Sequence, residues 1–520
     1  MSNTKVIYLL LIFVAFGFLL RLNNISERSL WTDEFFTLFE STGHGAGVKS
    51  LLDRLAKNDS VELLKAQDFK AYLVNDQNKS IKDVTTGIFN TDTHPPLYFW
   101  IMNIWMRIFG DSVLAIRFFS VLMGLFAIIL AYQVGSHLFG RAVANFCALF
   151  VSVCAFSVRY SQEARSYSLI LVLALLSWLF LLRFEKHNRN SDALWFAIFN
   201  SCGVYTHYFF AFIALAQFVY FTVIYRNNAE KLDKFYLVFL ASLLILAFGF
   251  IPLIQNGYNF VATEWIFGYP GLVDKILYLF CGNPQYFLIL NRVTNFEGLF
   301  LSIGLGILIF LVFRIFKEGA IKYPRQVFFC LLIFLVPVVG MFLIDIFEKG
   351  ALLRQGRFWM FPFVGFIPLA GYLLNYIFLK NKKIVFLIIF VLVVLSILSN
   401  KVQFGPAPKY ASNWINAESA GKTSAVFIYN CRGAVFAQAY YLDNNIYLIP
   451  VSNETQLKNG INKIYSFADK VFIVRHYFHT NPFLITQPFM ETRDINSGIR
   501  FIKEIKRDNI SVTEFEKCIL

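Results

Sequence analysis

Two adjacent carboxylates, Asp33 and Glu34, stand in Trp31-Thr32-Asp33-Glu34, shortly after the first apolar run. A carboxylate near a membrane surface can take a proton from an attacking hydroxyl or amine. Helix capping by Thr32 or Asp33, ahead of FFTLF, is the plainer use of the same residues. A second cluster is Thr91-Asp92-Thr93-His94-Pro95-Pro96-Leu97, whose prolines cannot continue a helix and so fix where the chain meets the next apolar segment. That puts His94 at an interface. Arg117 lies six residues into an apolar run, where a cation must face a cavity, meet a partner or snorkel. A fourth cluster, residues 159–167, sets Glu163 between Arg159 and Arg165 and ends on Tyr167. The fifth is Lys349, Arg354 and Arg357. Guanidiniums grip a phosphate bidentately and stabilise its charge as it leaves. Carboxylates and arginines together suit transfer of a group from a phosphate-bearing lipid to a hydroxyl or amine. The sequence has neither the GxxxxGK[ST] pattern of an ATP-binding loop nor the HExxH pattern of a zinc site.

The elements that must position these residues are membrane helices. Of 520 residues, 57% are hydrophobic and only 15% charged, against about 25% charged in soluble domains. Apolar runs appear at 6–20, 112–134, 142–158, 167–183, 193–207, 208–225, 235–254, 299–315, 326–346, 357–379 and 384–399, giving about eleven spans. The run 97–109 is too short to cross and reads as a re-entrant or interfacial helix. No small-x-small cleavage site follows the first run, so it reads as a retained helix. With the N-terminus inside, the inner loops carry fourteen basic residues and the short outer loops about six. That is the bias expected of cytoplasmic loops, and it accounts for the net charge of +14 without nucleic acid. All five polar clusters then fall on the outer face.

Two domains are expected. Residues 1–399 form the membrane domain, with an outer loop over 23–96 whose stretch 50–73 has the spacing of amphipathic surface helices. Residues 400–520 alternate β-rich runs (425–430, 445–451 and 470–477) with helical or polar stretches, the pattern of a small outer α/β domain. Cys431 and Cys518 could pair there if it faces an oxidising compartment.

These motifs resemble the GT-C superfamily of polytopic glycosyltransferases, in particular the bacterial branch of glycosyltransferase family 39. That branch is related to protein O-mannosyltransferases and lipid A aminoarabinose transferases. Asp33-Glu34 matches the acidic motif of the first loop. DTHPPL at 92–97 is similar to the DxHPPLGK stretch, although Tyr98-Phe99 replace its Gly-Lys. RFFSVLMG at 117–124 resembles the following Arg-x-x-Ser-x-x-x-Gly helix, and YSQEARSYSL at 160–169 the motif of the second loop. The likeness covers residues 1–185 by motif and the rest by architecture only.

The resemblance implies an inverting sugar transfer from a polyprenyl-phosphate donor, with undecaprenyl phosphate as carrier, at the periplasmic face of a bacterial inner membrane. Asp33 would be the general base, with Glu34 and Glu163 orienting acceptor or sugar. His94, Arg117, Arg165, Tyr167, Lys349, Arg354 and Arg357 would bind substrate, the arginines at the lipid phosphate. The missing motif lysine must be replaced by another cation. No cofactor beyond the lipid-linked sugar is implied, and no metal in this branch, although oligosaccharyltransferases of the same superfamily use one. The acceptor would be a lipid, glycan or protein. The competing readings are an O-antigen ligase or polymerase, which would keep its chemistry in a late loop, and a lipid-linked sugar flippase, which would carry ionisable groups near the bilayer midplane.

Overall fold

A computed structural model describes residues 3–57, 61–92, 94–249, 323–347, 352–400, 408–429, 434–451, 453–464, 466–476, 499–507 and 510–517. The expected span 299–315, Lys349, and cysteines Cys281, Cys431 and Cys518 lie outside them. In chain order the first helices are α1 (Asn3–Leu22), α2 (Thr32–Ser41), α3 (Gly45–Lys57), α4 (Ala66–Lys70), α5 (Ile81–Thr91), α6 (Leu97–Phe109) and α7 (Val113–Phe139). Then come α8 (Arg141–Val153), α9 (Ala155–Tyr160), α10 (Tyr167–His187), α11 (Asn190–Thr206), α12 (Phe210–Tyr225) and α13 (Ala229–Gly249). After these follow α14 (Pro324–Phe347), α15 (Met360–Lys380), α16 (Lys382–Ser399), α17 (Pro408–Glu418), α18 (Ala434–Tyr441) and α19 (Glu454–Ile464). Contacts divide the chain into two units, one of Met1–Ile25, Asp92–Tyr98 and Leu114–Val402, the other of Ser26–Thr91, Phe99–Val113 and Gln403–Leu520.

The first unit is the polytopic helical part. Among the described residues, six helices are long and apolar enough to cross a membrane: Thr4–Leu22, Val113–Phe139, Tyr167–His187, Pro324–Phe347, Gly356–Lys380 and Lys382–Ser399. At 1.5 Å per residue, α10 spans about 30 Å, the thickness of a hydrocarbon core. It stops at Asn188, whose left-handed φ of 51° lets its N–H return to the Phe184 carbonyl. Near that end Glu185 accepts from Tyr220 (3.1 Å) and Tyr225 (3.2 Å) and pairs with Arg325. This polar latch joins α10, α12 and α14 at the end of α10 opposite Tyr167.

The expected continuous run 142–158 is broken. α8 ends at Val153, Cys154 is extended, and α9 sets off afresh. A break exposes carbonyls that an uninterrupted helix would satisfy, and buried side chains take them over. Arg21 donates to the carbonyls of Val151 (3.0 Å) and Ser152 (3.1 Å), and Ser396 to that of Val153 (2.5 Å). Arg21 also donates to the Ser157 hydroxyl at 3.0 Å. The cation of α1 thus holds open the turn that leads into residues 159–167.

In the second unit the C-terminal strands are β2 (Ser424–Tyr429), β3 (Tyr447–Val451), β4 (Lys470–His476), β5 (Ile499–Arg507) and β6 (Ile510–Lys517). A two-residue strand from the first loop, β1 (Leu64–Lys65), joins them, giving the order β1-β3-β2-β4-β6-β5. The central strands β3, β2 and β4 are parallel, and the outer pairings are antiparallel. Residues 425–428 of β2 are fully buried, as befits a parallel strand covered on both faces. Phe427, Ile449 and Ile473 pack against Leu457 and Ile461 of α19.

The stretch 50–73, expected to carry surface helices, holds the end of α3 and all of α4, with the short strand β1 before α4. Its later part, β1 and α4, packs on the C-terminal segments, while α3 packs on α5. Phe436 of α18 is ringed by Phe39, Phe69 and Tyr72 at centroid distances of 6.0, 5.6 and 6.0 Å. α6 buries Phe99, Met102 and Met106 along one side and exposes Ile104 and Ile108. Asn103 of that helix donates to the Ser41 carbonyl (2.7 Å) and Trp100 to the Thr85 hydroxyl (2.9 Å).

Glu40, at 0% exposure, is seated where α2, α3 and α5 meet and accepts from the Thr91 hydroxyl at 2.5 Å. A Cβ on Gly45 would come within 2.1 Å of its Oε2. Gly45→Ala should therefore destabilise this unit by about 1–3 kcal/mol, as overpacking does, read as a lower thermal midpoint of the purified protein. An unchanged midpoint would show that the carboxylate yields freely.

Candidate functional site

The stripe Arg117, Ser120, Gly124 lies along one side of α7, at the i, i+3, i+7 spacing of neighbouring side chains. Arg117, 2% exposed, donates to the Ile25 carbonyl at 2.6 Å. Ser120 donates to the Arg165 carbonyl at 3.5 Å. A Cβ on Gly124 would sit 2.1 Å from the Ser161 hydroxyl, so only glycine admits the loop so close. The motif is therefore a docking stripe for residues 161–165 and for the end of α1. Gln162 completes the seat, donating to the carbonyls of Arg21 (2.8 Å) and Asn23 (2.9 Å) that end α1.

On this seat Arg159 and Glu163 form an ion pair of 2.9 Å, each side chain 4% exposed. Arg165 follows, also 4% exposed. Tyr167, 2% exposed, packs edge-on against Tyr160 at 5.1 Å. Burial pushes the Tyr160 phenol well above its usual range, reinforced by Glu163 and Tyr167 and opposed by Arg357 and Arg159. Tyr160 is thus a protonated donor ringed by the charges of the second loop and of Arg357.

His94 lies in the turn before α6, and its Nδ1 is 2.7 Å from Asp92 Oδ1. With a carboxylate there, Nδ1 carries the proton and Nε2 faces away from it. Burial alone would raise the Asp92 carboxyl, but the His94 imidazole and the Arg165 charge outweigh it and hold the group well below the usual carboxylate range. Where the resembling motif has Gly-Lys, Tyr98 and Phe99 are 1% and 2% exposed. Tyr98 packs on Phe119 at 6.3 Å, so Arg165 is the cation that reaches Asp92 electrostatically.

Arg357 stands on a 3-10 turn, Gly356–Trp359, that opens α15, and Arg354 on the preceding turn Leu352–Arg354. Asp345, 1% exposed near the end of α14, accepts from the backbone N–H groups of Leu352 (2.6 Å) and Leu353 (3.0 Å). Trp359 locks the pair of turns by donating to the Leu353 carbonyl at 2.9 Å. A carboxylate at the end of a span was a visible signal that the sequence reading passed over.

A second overlooked residue is His207, 6% exposed in the turn between α11 and α12. Its ring lies 5.7 Å from that of His94. Burial lowers its pKa well below the usual histidine range, helped by His94, Arg165 and Arg357 against Asp92. The first unit therefore gathers Asp92, His94, Arg159, Glu163, Arg165, His207 and Arg357 from four separate stretches of chain.

Asp33 and Glu34 belong to the second unit. Glu34, 0% exposed, accepts from the Trp31 N–H at 3.3 Å and so closes the start of α2. The capping expected of Thr32 or Asp33 falls instead to Glu34, because α2 begins at Thr32, three residues before FFTLF. Asp33 is half-buried in the first turn of that helix.

Residues 93–254 match the family described as dolichyl-phosphate-mannose-protein mannosyltransferase. An uncharacterized protein of Aquifex aeolicus is 29% identical over 171 residues, 30% of this chain and 33% of the relative. That match spans about a third of the relative's length. Among solved structures, the apo oligosaccharyltransferase of Archaeoglobus fulgidus aligns with a TM-score of 0.49 and 12% identity, covering 91% of this chain and 70% of that one. ArnT from Cupriavidus metallidurans bound to undecaprenyl phosphate aligns at 0.43 and 12%, covering 99% and 98%. The family match covers residues 93–254, about a third of the chain, and lies mostly within its polytopic helical part.

Proposed function

We propose that the protein is an inverting glycosyltransferase that moves a sugar from undecaprenyl phosphate to an acceptor at the periplasmic face of a bacterial inner membrane. The observation that carries this reading is the gathering of Arg165, Arg357, His94 and Asp92 in one unit, at the end of α10 away from its basic terminus. Lys186 and His187 lie in the last turn of α10, and lysine- and arginine-rich ends favour the cytoplasm. On this reading the arginine cluster faces outward, toward the lipid phosphate it would bind.

Asp33 takes the acceptor's proton, and the freed nucleophile attacks the anomeric carbon from the side opposite the phosphate. The bond from that carbon to the phosphate oxygen breaks, and the oxygen leaves with the electron pair. Arg165 and Arg357 neutralise the charge that develops there, with Arg354 and Lys349 as further candidates. Glu34 secures the helix start on which Asp33 stands. Glu163, through Arg159, fixes the loop that carries Arg165, and Arg117 with Tyr167 braces that loop.

The test is to delete the protein from its host and compare the masses of envelope glycans, glycoproteins, lipid A and undecaprenyl-linked sugars. Loss of one sugar increment from an envelope component, with build-up of that sugar on undecaprenyl phosphate, is expected. Unchanged masses in every fraction would overturn the reading.

A further inference from the structure

His207 follows α11 with an extended backbone (φ −162°, ψ 130°), and its own N–H returns to the Gly203 carbonyl at 3.0 Å. The Phe209 N–H donates to its Nδ1 at 3.2 Å. A ring nitrogen that accepts a hydrogen bond carries no proton, so the imidazole holds its hydrogen on Nε2. Apolar rings fix the plane: Phe361 at 5.1 Å, Phe209 at 5.2 Å and Phe358 at 5.9 Å between centroids. The polar neighbour is His94, edge-on at 82°. Among the described residues, no acceptor is paired with Nε2. His207 is 6% exposed, yet its Nε2 is not among the fully enclosed orphaned atoms, so its hydrogen stays open to an acceptor on a ligand or water.

The charges that bear on the ring identify the kind of ligand. Burial is the largest influence that depresses its protonation; His94, Arg165 and Arg357 act in the same direction, and Asp92 opposes them. A protonated histidine beside two guanidiniums would repel them. A neutral one adds a directed N–H without a third positive charge, which is what an anion already attracted by two arginines can use.

We propose that His207 donates its Nε2 hydrogen to a phosphate oxygen of bound undecaprenyl phosphate, beside Arg165 and Arg357. This rests on the function proposed above and adds to it a residue that selects the phosphate head rather than the prenyl tail. Arg165 and Arg357 supply field, and His207 supplies direction.

The test uses the full-length protein in nanodiscs, with undecaprenyl phosphate and the uncharged undecaprenol as probes, read by native mass spectrometry. The wild type is expected to prefer the phosphate, and Arg357→Gln to lose that preference. His207→Leu should weaken phosphate binding about ten-fold to a hundred-fold, the loss of one hydrogen bond to a charged group. His207→Gln, whose amide nitrogen reaches where Nε2 stood, should stay within about three-fold of wild type. Equal loss in the Leu and Gln variants would mark His207 as a packing residue and overturn the inference. So would a Leu variant that binds like wild type while Arg357→Gln fails, and in that case the phosphate site itself survives. A wild type that does not distinguish phosphate from alcohol would overturn both the inference and the donor proposed above.

Discussion

Asp33→Asn is expected to lower the rate of sugar transfer by about 10²–10⁴, the range general-base catalysis supplies, while leaving binding of the lipid-linked donor intact. The substitution is isosteric, and the side chain is half-buried in the first turn of α2 rather than in a core. The start of that helix is held by Glu34, whose Oε2 receives the Trp31 N–H. The fold should therefore tolerate the change, losing at most about 0.3–1 kcal/mol of favourable interaction with the helix N-terminus. Glu34→Gln should behave in the opposite way. It weakens a buried cap, at about 0.5–2 kcal/mol, with a smaller effect on turnover. The two variants are compared by transfer rate under saturating donor and by thermal unfolding. A wild-type rate in Asp33→Asn would remove Asp33 from the mechanism.

Glu163→Gln should cost about 3–5 kcal/mol of stability in the first unit, because it strands the Arg159 charge in a buried site. Both side chains of the pair are 4% exposed and 2.9 Å apart. Transfer should fall with it, since the same loop carries Arg165 and is seated on Ser120 and Gly124. The double variant Arg159→Met with Glu163→Met separates the two effects. Replacing a buried pair by apolar side chains is often neutral or stabilising, so its thermal midpoint should recover while transfer does not. Recovery of both would reduce the pair to a structural strut. A single variant as stable as wild type would show that other contacts hold the loop.

Most of the site was legible as residue types at particular spacings. Glu163 and Arg165 stand out because they are charged residues in a short loop between apolar runs, although the sequence does not tell a pairing with Arg159 from a role toward substrate. The partners were less legible. His207 sits where two apolar runs abut, and nothing in the sequence around it distinguishes a histidine that ends a helix from one that awaits a ligand. Its significance rests on the Phe209 N–H that fixes the tautomer and on His94, more than a hundred residues earlier, beside its ring. Arg117 shows the converse. Its position in a span reads as functional, and the structure adds a positioning use that the sequence does not show: it donates to the Ile25 carbonyl, within a motif that seats another loop.

The sequence by itself determined that the chain is a helical membrane protein with a C-terminal α/β region, because apolar run length and strand-forming runs are local properties. The positions of β2, β3 and β4 follow from their β-rich runs, and those of α10, α15 and α16 from the length of theirs. Tertiary structure alone decided the break after Val153, which no proline or glycine announces. It persists because Arg21 and Ser396, from distant helices, satisfy the carbonyls it exposes. Tertiary structure also decided that Leu64–Lys65 extends a sheet built almost 400 residues later, since a two-residue strand has no periodicity to read and exists only through its partner's hydrogen bonds.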